Sequence, residues 1–324
     1  MLAKRISRIQ PSATLAMTAK AAELRAEGKD VLNMSVGEPD FNTPSNIVDA
    51  AIQAMKKGHT RYTPGGGTKD LKLAIQSKLI RDNNLNYDLN QIIVSSGGKH
   101  SLYNACQALF EKNDEVIIFT PYWVSFPDFV SVTGAKPVFV KTDPDNQYQP
   151  IFDDLESKIT NNTKGMIINS PSNPTGGVWS DDAIKRTIDI AKSYSLWVFS
   201  DECYEQLTYN IDFKSTFDLC PDYQRILTFQ SCSKTYAMTG WRIGYTCGDS
   251  SVIQAMSKLQ GQSTSCPNSI AQYAAAEALT GNQSSVVDMK QAFHKRRDLI
   301  VNRLNDMNGV SCDCLLYTSD AADE

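Results

Sequence analysis

The chain has 324 residues, long enough for one large or two medium domains with a full core, which excludes a short peptide or a disordered tail. Hydrophobic residues make up 41% and charged residues 21%, the mean hydropathy is −0.32, and no apolar run is long enough to cross a bilayer. Thirty-two basic against 36 acidic residues give a net charge of −4 without a basic block, so small molecules are expected as ligands rather than nucleic acid or a membrane.

Residues 1–30 read as an arm followed by a helix over Ser12–Glu27. The first 22 residues carry Lys4, Arg5, Arg8 and Lys20 with no acid, the bias of an organelle transit peptide, but lack the apolar segment of a secretion signal. Seven short apolar runs follow, each closed by polar or turn-forming residues: Ile92–Val94, Val116–Thr120, Pro137–Val140, Gly165–Asn169, Leu196–Ser200, Arg225–Phe229 and Arg242–Thr246. Several do not alternate, as expected of strands covered on both faces in a parallel sheet. Helical spacing over Asn104–Phe110, Asp181–Ser193 and Ile253–Leu259 supplies the covers, so the class is α/β, doubly wound. A charged amphipathic helix over Ser285–Asn305 leads out of this unit, into a second, smaller domain.

Three scattered histidines (His59, His100, His294) leave no H-E-x-x-H zinc site, so no metal is expected. The eight cysteines form no C-x-x-C pair and mostly sit in apolar runs, which suits reduced thiols in the cytoplasm.

In open α/β sheets ligands gather at the carboxyl ends of strands, and four of these ends carry chemistry. After Ile92–Val94 comes Ser95-Ser96-Gly97-Gly98-Lys99, where glycines and a helix start can cup a phosphate. Neither a dinucleotide fingerprint nor a P-loop pattern occurs. After Leu196–Ser200 comes Asp201, a carboxylate that needs either a helix amide or a positive partner. After Arg225–Phe229 comes Gln230-Ser231-Cys232-Ser233-Lys234, an amine just beyond a buried strand. Ser231-x-x-Lys234 also fits the penicillin-binding pattern, but its companions S-D-N and K-T-G are missing, as is G-x-S-x-G. After Gly165–Asn169 comes Ser170-Pro171-Ser172-Asn173-Pro174, which presents an asparagine amide. Each has an ordinary structural explanation alone. Together they suit pyridoxal phosphate, whose aldehyde takes a lysine, whose ring nitrogen takes an acid and whose phosphate takes the cup.

With these residues stand Pro11-Ser12-Ala13-Thr14, Val36-Gly37-Glu38-Pro39-Asp40-Phe41, Tyr62-Thr63-Pro64, Pro121-Tyr122-Trp123-Val124-Ser125, Asn173-Pro174-Thr175-Gly176, Ser200-Asp201-Glu202-Cys203-Tyr204 and Ser233-Lys234-Thr235-Tyr236-Ala237-Met238-Thr239-Gly240-Trp241-Arg242. In this ordered set, from about Ile6 to Cys312, the chain resembles the class I aminotransferases of fold type I, most closely the aspartate aminotransferases of subgroup 1b. The resemblance implies a seven-stranded, mostly parallel sheet flanked by helices, with a smaller and incomplete α/β domain. It divides the chain into an arm and part of the small domain (1–40), a large cofactor-binding domain (41–284), a linking helix and the start of the small domain (285–313), and an unrelated tail (314–324). It also makes the arm part of the fold, and a cleaved leader is not expected.

By that resemblance Lys234 forms a Schiff base with pyridoxal phosphate and then moves the substrate proton. Asp201 pairs with the ring nitrogen, and Tyr204 and Asn173 bind the ring's phenolate oxygen. Gly98, Lys99, Ser231 and Arg242 hold the phosphate, with Tyr62 reaching over from a second copy, so a homodimer is implied. Trp123 stacks on the ring, and Gly37, Lys99, Trp123 and Asn173 line the substrate site, Lys99 near a distal carboxylate. The implied reaction moves an amino group between L-aspartate and a 2-oxo acid such as 2-oxoglutarate. The alternatives are an aromatic, prephenate or kynurenine aminotransferase, or a binding protein without activity. The family's arginine for the substrate α-carboxylate has no counterpart, since the last arginine is Arg303, and slow turnover by a truncated chain is expected.

Overall fold

The computed structural model describes residues 2–33 and 37–312. Eight strands form one sheet: β1 (Ile92–Ser95), β2 (Glu115–Thr120), β3 (Lys136–Asp143), β4 (Gln149–Pro150), β5 (Thr163–Asn169), β6 (Trp197–Asp201), β7 (Ile226–Ser231) and β8 (Gly244–Cys247). Their order is β1-β8-β7-β6-β5-β2-β3-β4. Strands β3, β2, β5, β6 and β7 run parallel, whereas β8 is antiparallel to both β1 and β7, and β4 to β3.

The seven expected strands all form, and the eighth is the two-residue β4. The last strand starts at Gly244 rather than Arg242, because Arg242 sits at φ 58°, outside extended geometry. The lack of alternation in β2 has the expected cause. Val116 and Ile118 pack with Leu102, Ala105 and Cys106 of the Gly98–Leu109 helix, while Ile117 and Phe119 pack with Ala183, Ile184 and Ile188 of the Asp181–Ser193 helix on the other face.

Helices at Ser45–Lys56, Lys69–Asn83 and Ser269–Thr280 were not anticipated and close the β1 and β8 side of the molecule. The third is alanine-rich, with little polar contrast between its faces, so periodicity gives it no signature. The Ser284–Asn305 helix forms as expected and packs Met289 and Phe293 against Tyr204, Leu207 and Tyr209. Among the described residues no helix is long and apolar enough to cross a membrane. Val36 and the 314–324 segment, assigned above, lie outside the described residues.

One close backbone approach fixes the turn after β1. A Cβ on Gly244 would lie 2.3 Å from the Gly98 nitrogen and 2.6 Å from the Gly97 carbonyl carbon. Only glycine lets β8 run this near the helix start. Gly244→Ala is expected to cost about 1–3 kcal/mol through backbone displacement, read as a lower urea midpoint by tryptophan fluorescence. An unchanged midpoint would contradict the tight approach.

Candidate functional site

Parallel pairing brings the carboxyl ends of β5, β6 and β7 side by side: Asn169 is opposite Asp201, and Asp201 is opposite Phe229. Ser231, at the end of β7, lies opposite Gly244 of β8, whose backbone touches the Gly97-Gly98 turn. Four sequence-distant segments therefore meet at one edge. Between them is a cavity of about 280 Å³ whose lining includes Gly98, Lys99, Trp123, Asn173, Asp201, Tyr204, Ser231, Lys234 and Arg242. Of the eleven residues expected at the site, these nine line one space.

The other two differ. Gly37 is joined to the site by its carbonyl oxygen, which accepts a hydrogen bond from Lys234 Nζ. Tyr62 is 91% exposed and lies outside its own chain's cavity.

At one end the site is built for an anion. Gly97, at φ +94°, opens the helix Gly98–Leu109, whose first amides point outward and carry the positive end of the helix dipole. The Arg242 guanidinium packs so closely on Gly97 that a Cβ there would fall 2.3 Å from Nη2. Arg242 Nη1 donates to the Thr239 carbonyl at 2.8 Å, which holds the group over the turn. Ser231 caps the short helix carrying Lys234, accepting from the Ser233 amide at 3.1 Å, and its Cβ flanks Gly98.

At the other end is Asp201, 5% exposed at the tip of β6. The Cys203 amide donates to its Oδ1 at 3.3 Å. Burial, only partly offset by Cys203, pushes the carboxyl up to about 6. Asn169 Nδ2 donates to the Asp201 carbonyl at 3.2 Å, and Asn169 Oδ1 accepts from the Asn173 amide at 2.8 Å, so one side chain locks the asparagine loop to the acid's strand.

The walls between are aromatic. Trp123 packs edge-on to Phe126 and Phe129 at centroid distances of 5.4 and 5.8 Å, and the Lys99 ammonium sits 4.9 Å from its ring. Lys234 Nζ is 5.9 Å from the centre of the buried Tyr204 ring. Such a cavity suits a flat ligand with phosphate at one end and a cationic ring N–H at the other, with an amine between to attack a carbonyl.

Sequence reasoning did not assign Ser12, Thr14, Cys203, Ser233 and Thr239 to this lining. Ser233 and Thr239 flank the lysine and arginine already singled out, which was the available signal. Ser12 and Thr14 reach it only because the chain's arm folds over the site.

Asp201 makes a sign-defined prediction. Its folded pKa is about 6, so between about pH 4 and 6 the folded chain keeps a proton that the unfolded chain releases, and rising pH erodes stability. Asp201→Asn is therefore expected to raise the melting temperature of the cofactor-free chain near neutral pH, by the equivalent of about 1–3 kcal/mol. The gain should vanish near pH 4. Thermal melts at the two pH values check this, and a lower melting temperature for the variant at both would refute it.

The model for the family "Aminotransferase class I and II" matches residues 29–316. A probable aspartate/prephenate aminotransferase of Rhizobium leguminosarum bv. phaseoli is 47% identical, over 96% of this chain and 78% of its own. An aspartate aminotransferase of Geobacillus stearothermophilus is 46% identical, over 96% of this chain and 80% of its own. The crystal structure of the Rhizobium meliloti aspartate aminotransferase superposes with a TM-score of 0.94 at 40% identity, over 98% of this chain and 80% of that one. With nine expected site residues around one cavity and these likenesses along nearly its whole length, the chain belongs to the class I and II aminotransferase family.

Proposed function

We propose that the chain is a pyridoxal-phosphate-dependent transaminase that exchanges the amino group of L-aspartate with a 2-oxo acid such as 2-oxoglutarate. The observation that carries this reading is the convergence of the Lys234 amine, the buried Asp201 carboxylate and the Gly98 helix start on one cavity. Bound pyridoxal phosphate supplies an aldehyde for amines and a ring that withdraws an electron pair.

The chain's residues would divide the work as follows. Gly98, Lys99, Ser231 and Arg242 hold the phosphate, Arg242 through fixed donors and the helix through its amides. Asp201 keeps the ring nitrogen protonated. Its raised pKa leaves it eager for a positive partner, and an N–H cation there would pull it back down. The Tyr204 hydroxyl and the Asn173 amide donate to the ring's phenolate oxygen. Trp123 covers one ring face. Lys234 would hold the aldehyde at rest and, once freed by substrate, its amine would serve as the base that takes the proton from the substrate α-carbon.

The dicarboxylic preference is supported by Lys99, a cation on the cavity wall beside Trp123. Prephenate is the second reading, because the Lys99 and Trp123 pair offers a cation and an apolar ring face together. The arginine lining the cavity, Arg242, is engaged over Gly97, so the α-carboxylate lacks a planar, bidentate partner among the described residues there.

Tyr62, exposed and outside its own cavity, supports a homodimer in which the partner subunit's Tyr62 completes the phosphate site. Free buried thiols such as Cys106, Cys232 and Cys247 suit the cytoplasm.

Three measurements test these assignments. Pyridoxal phosphate added to the chain should give a visible absorbance band that Lys234→Ala abolishes together with transamination; a band that survives the substitution overturns the reading. At saturating cofactor, Lys99→Met should lower kcat/KM for aspartate about ten- to hundredfold and leave alanine nearly untouched. Equal losses would remove Lys99 from substrate recognition, and prephenate, kynurenine and aspartate assayed side by side rank the two readings. Finally, sedimentation should show a dimer, and an active monomer would take Tyr62 out of the site.

A further inference from the structure

Behind the cavity wall lies a charged cluster that the chemistry above does not use. Lys78, on the Lys69–Asn83 helix, is 2% exposed, a rare state for lysine. Its ammonium donates to Asn83 Oδ1 at 2.7 Å, to Gln230 Oε1 at 3.0 Å and to Glu205 Oε1. Glu205 Oε2 accepts from Gln230 Nε2 at 2.7 Å and from Asn83 Nδ2. Gln230 Oε1 also accepts from the Tyr245 hydroxyl at 2.6 Å. Every N–H of the ammonium and both carboxylate oxygens are thus used, in the buried interior.

Stability alone is a poor explanation for such a pair, since desolvation cancels most of the attraction and well-packed apolar residues often serve as well. Its placement offers a better one. Glu205 directly follows Tyr204, Gln230 directly precedes Ser231, and Lys78 bridges the two from a third element. The loop carrying Tyr204 and the tip of the strand carrying Ser231 both line the cavity proposed to hold the ligand.

We propose that Lys78, Glu205 and Gln230 form a positioning network that fixes the Tyr204 loop against the end of β7, so that Lys78 and Glu205, outside the cavity, act through Gln230 in its lining to set how tightly and in what orientation the cofactor is held. Lys78 and Glu205 are positioning residues, acting through their neighbours. The inference rests on the pyridoxal phosphate reading above.

Removing one partner would leave the other charged and buried, and such a chain can fail to fold. The decisive variant therefore neutralises both, Lys78→Met with Glu205→Gln. Its cofactor-free melting temperature is expected to stay within about 3 °C of the parent. Its Kd for pyridoxal phosphate, titrated by absorbance, is expected to rise about tenfold or more. The visible circular dichroism per bound cofactor, which reports how asymmetrically the ring is held, is expected to fall at saturation; loss of stability alone would not change it. An unchanged Kd and dichroism in a folded double variant would overturn the network's role while leaving the cofactor assignment intact. A double variant whose Kd weakens only in proportion to a collapsed melting temperature, with dichroism per cofactor preserved, would also overturn it. If the parent shows no Lys234-dependent absorbance, both readings fall together.

Discussion

The structure turns on a carboxylate held where a carboxylate is costly. Asp201 ends a strand whose neighbours on both sides are parallel and buried, and its hydrogen bond from the Cys203 amide does not offset the loss of water. A folded chain tolerates such a group only if the rest of the fold over-determines its position. Here Asn169 does so from β5, and the pairing with β7 does so from the other side. A positive group placed beside the carboxylate would lower that cost.

The sheet explains why one acid, one amine and one anion cup can meet at all. Parallel strands deliver every carboxyl end to the same edge, and β5, β6 and β7 bring Asn169, Asp201 and Ser231 together in this way. The cup is different, because β1 joins β7 only through the antiparallel β8. It depends on glycine at position 244, where β8 passes against the turn, and on glycine at 97, where Arg242 lies across it. Arg242 itself adopts a left-handed backbone, and that bend turns the chain from the lysine-bearing helix into β8.

Much of this was legible in the residues. Unbroken runs such as Val116-Ile117-Ile118-Phe119 announce doubly covered strands, and polar residues beyond their ends mark the site through their convergence, since each alone has an ordinary structural explanation. What was not legible follows a physical pattern. The Ser269–Thr280 helix shows no amphipathic stripe because alanine packs against apolar and polar surroundings alike. Tyr62 cannot be placed from one chain when its expected target belongs to another. Lys78 carries no signal in the sequence, and only the folded chain reveals that Asn83, Glu205 and Gln230 surround it.

Charge distribution around the β6 tip ties these strands of argument together. Three acids, Asp201, Glu202 and Glu205, are buried within five consecutive residues, and each is treated differently. Glu205 has an internal cation in Lys78. Glu202 has none among the described residues; its Oε1 instead accepts from the Ser200 and Ser215 hydroxyls and the Thr216 amide, while Oε2 is buried without a partner. Burial and the nearby Glu205 charge push the Glu202 carboxyl up to about 7, so a proton on it carries much of the compensation near neutrality. Of the three, Asp201 lines the cavity, with its carboxyl pushed up to about 6 by burial. The fold thus gives Glu205 a cation and Glu202 hydrogen bonds on one oxygen, and leaves Asp201 facing the cavity. A cation entering the cavity beside Asp201 would lower its pKa and offset the cost of its burial.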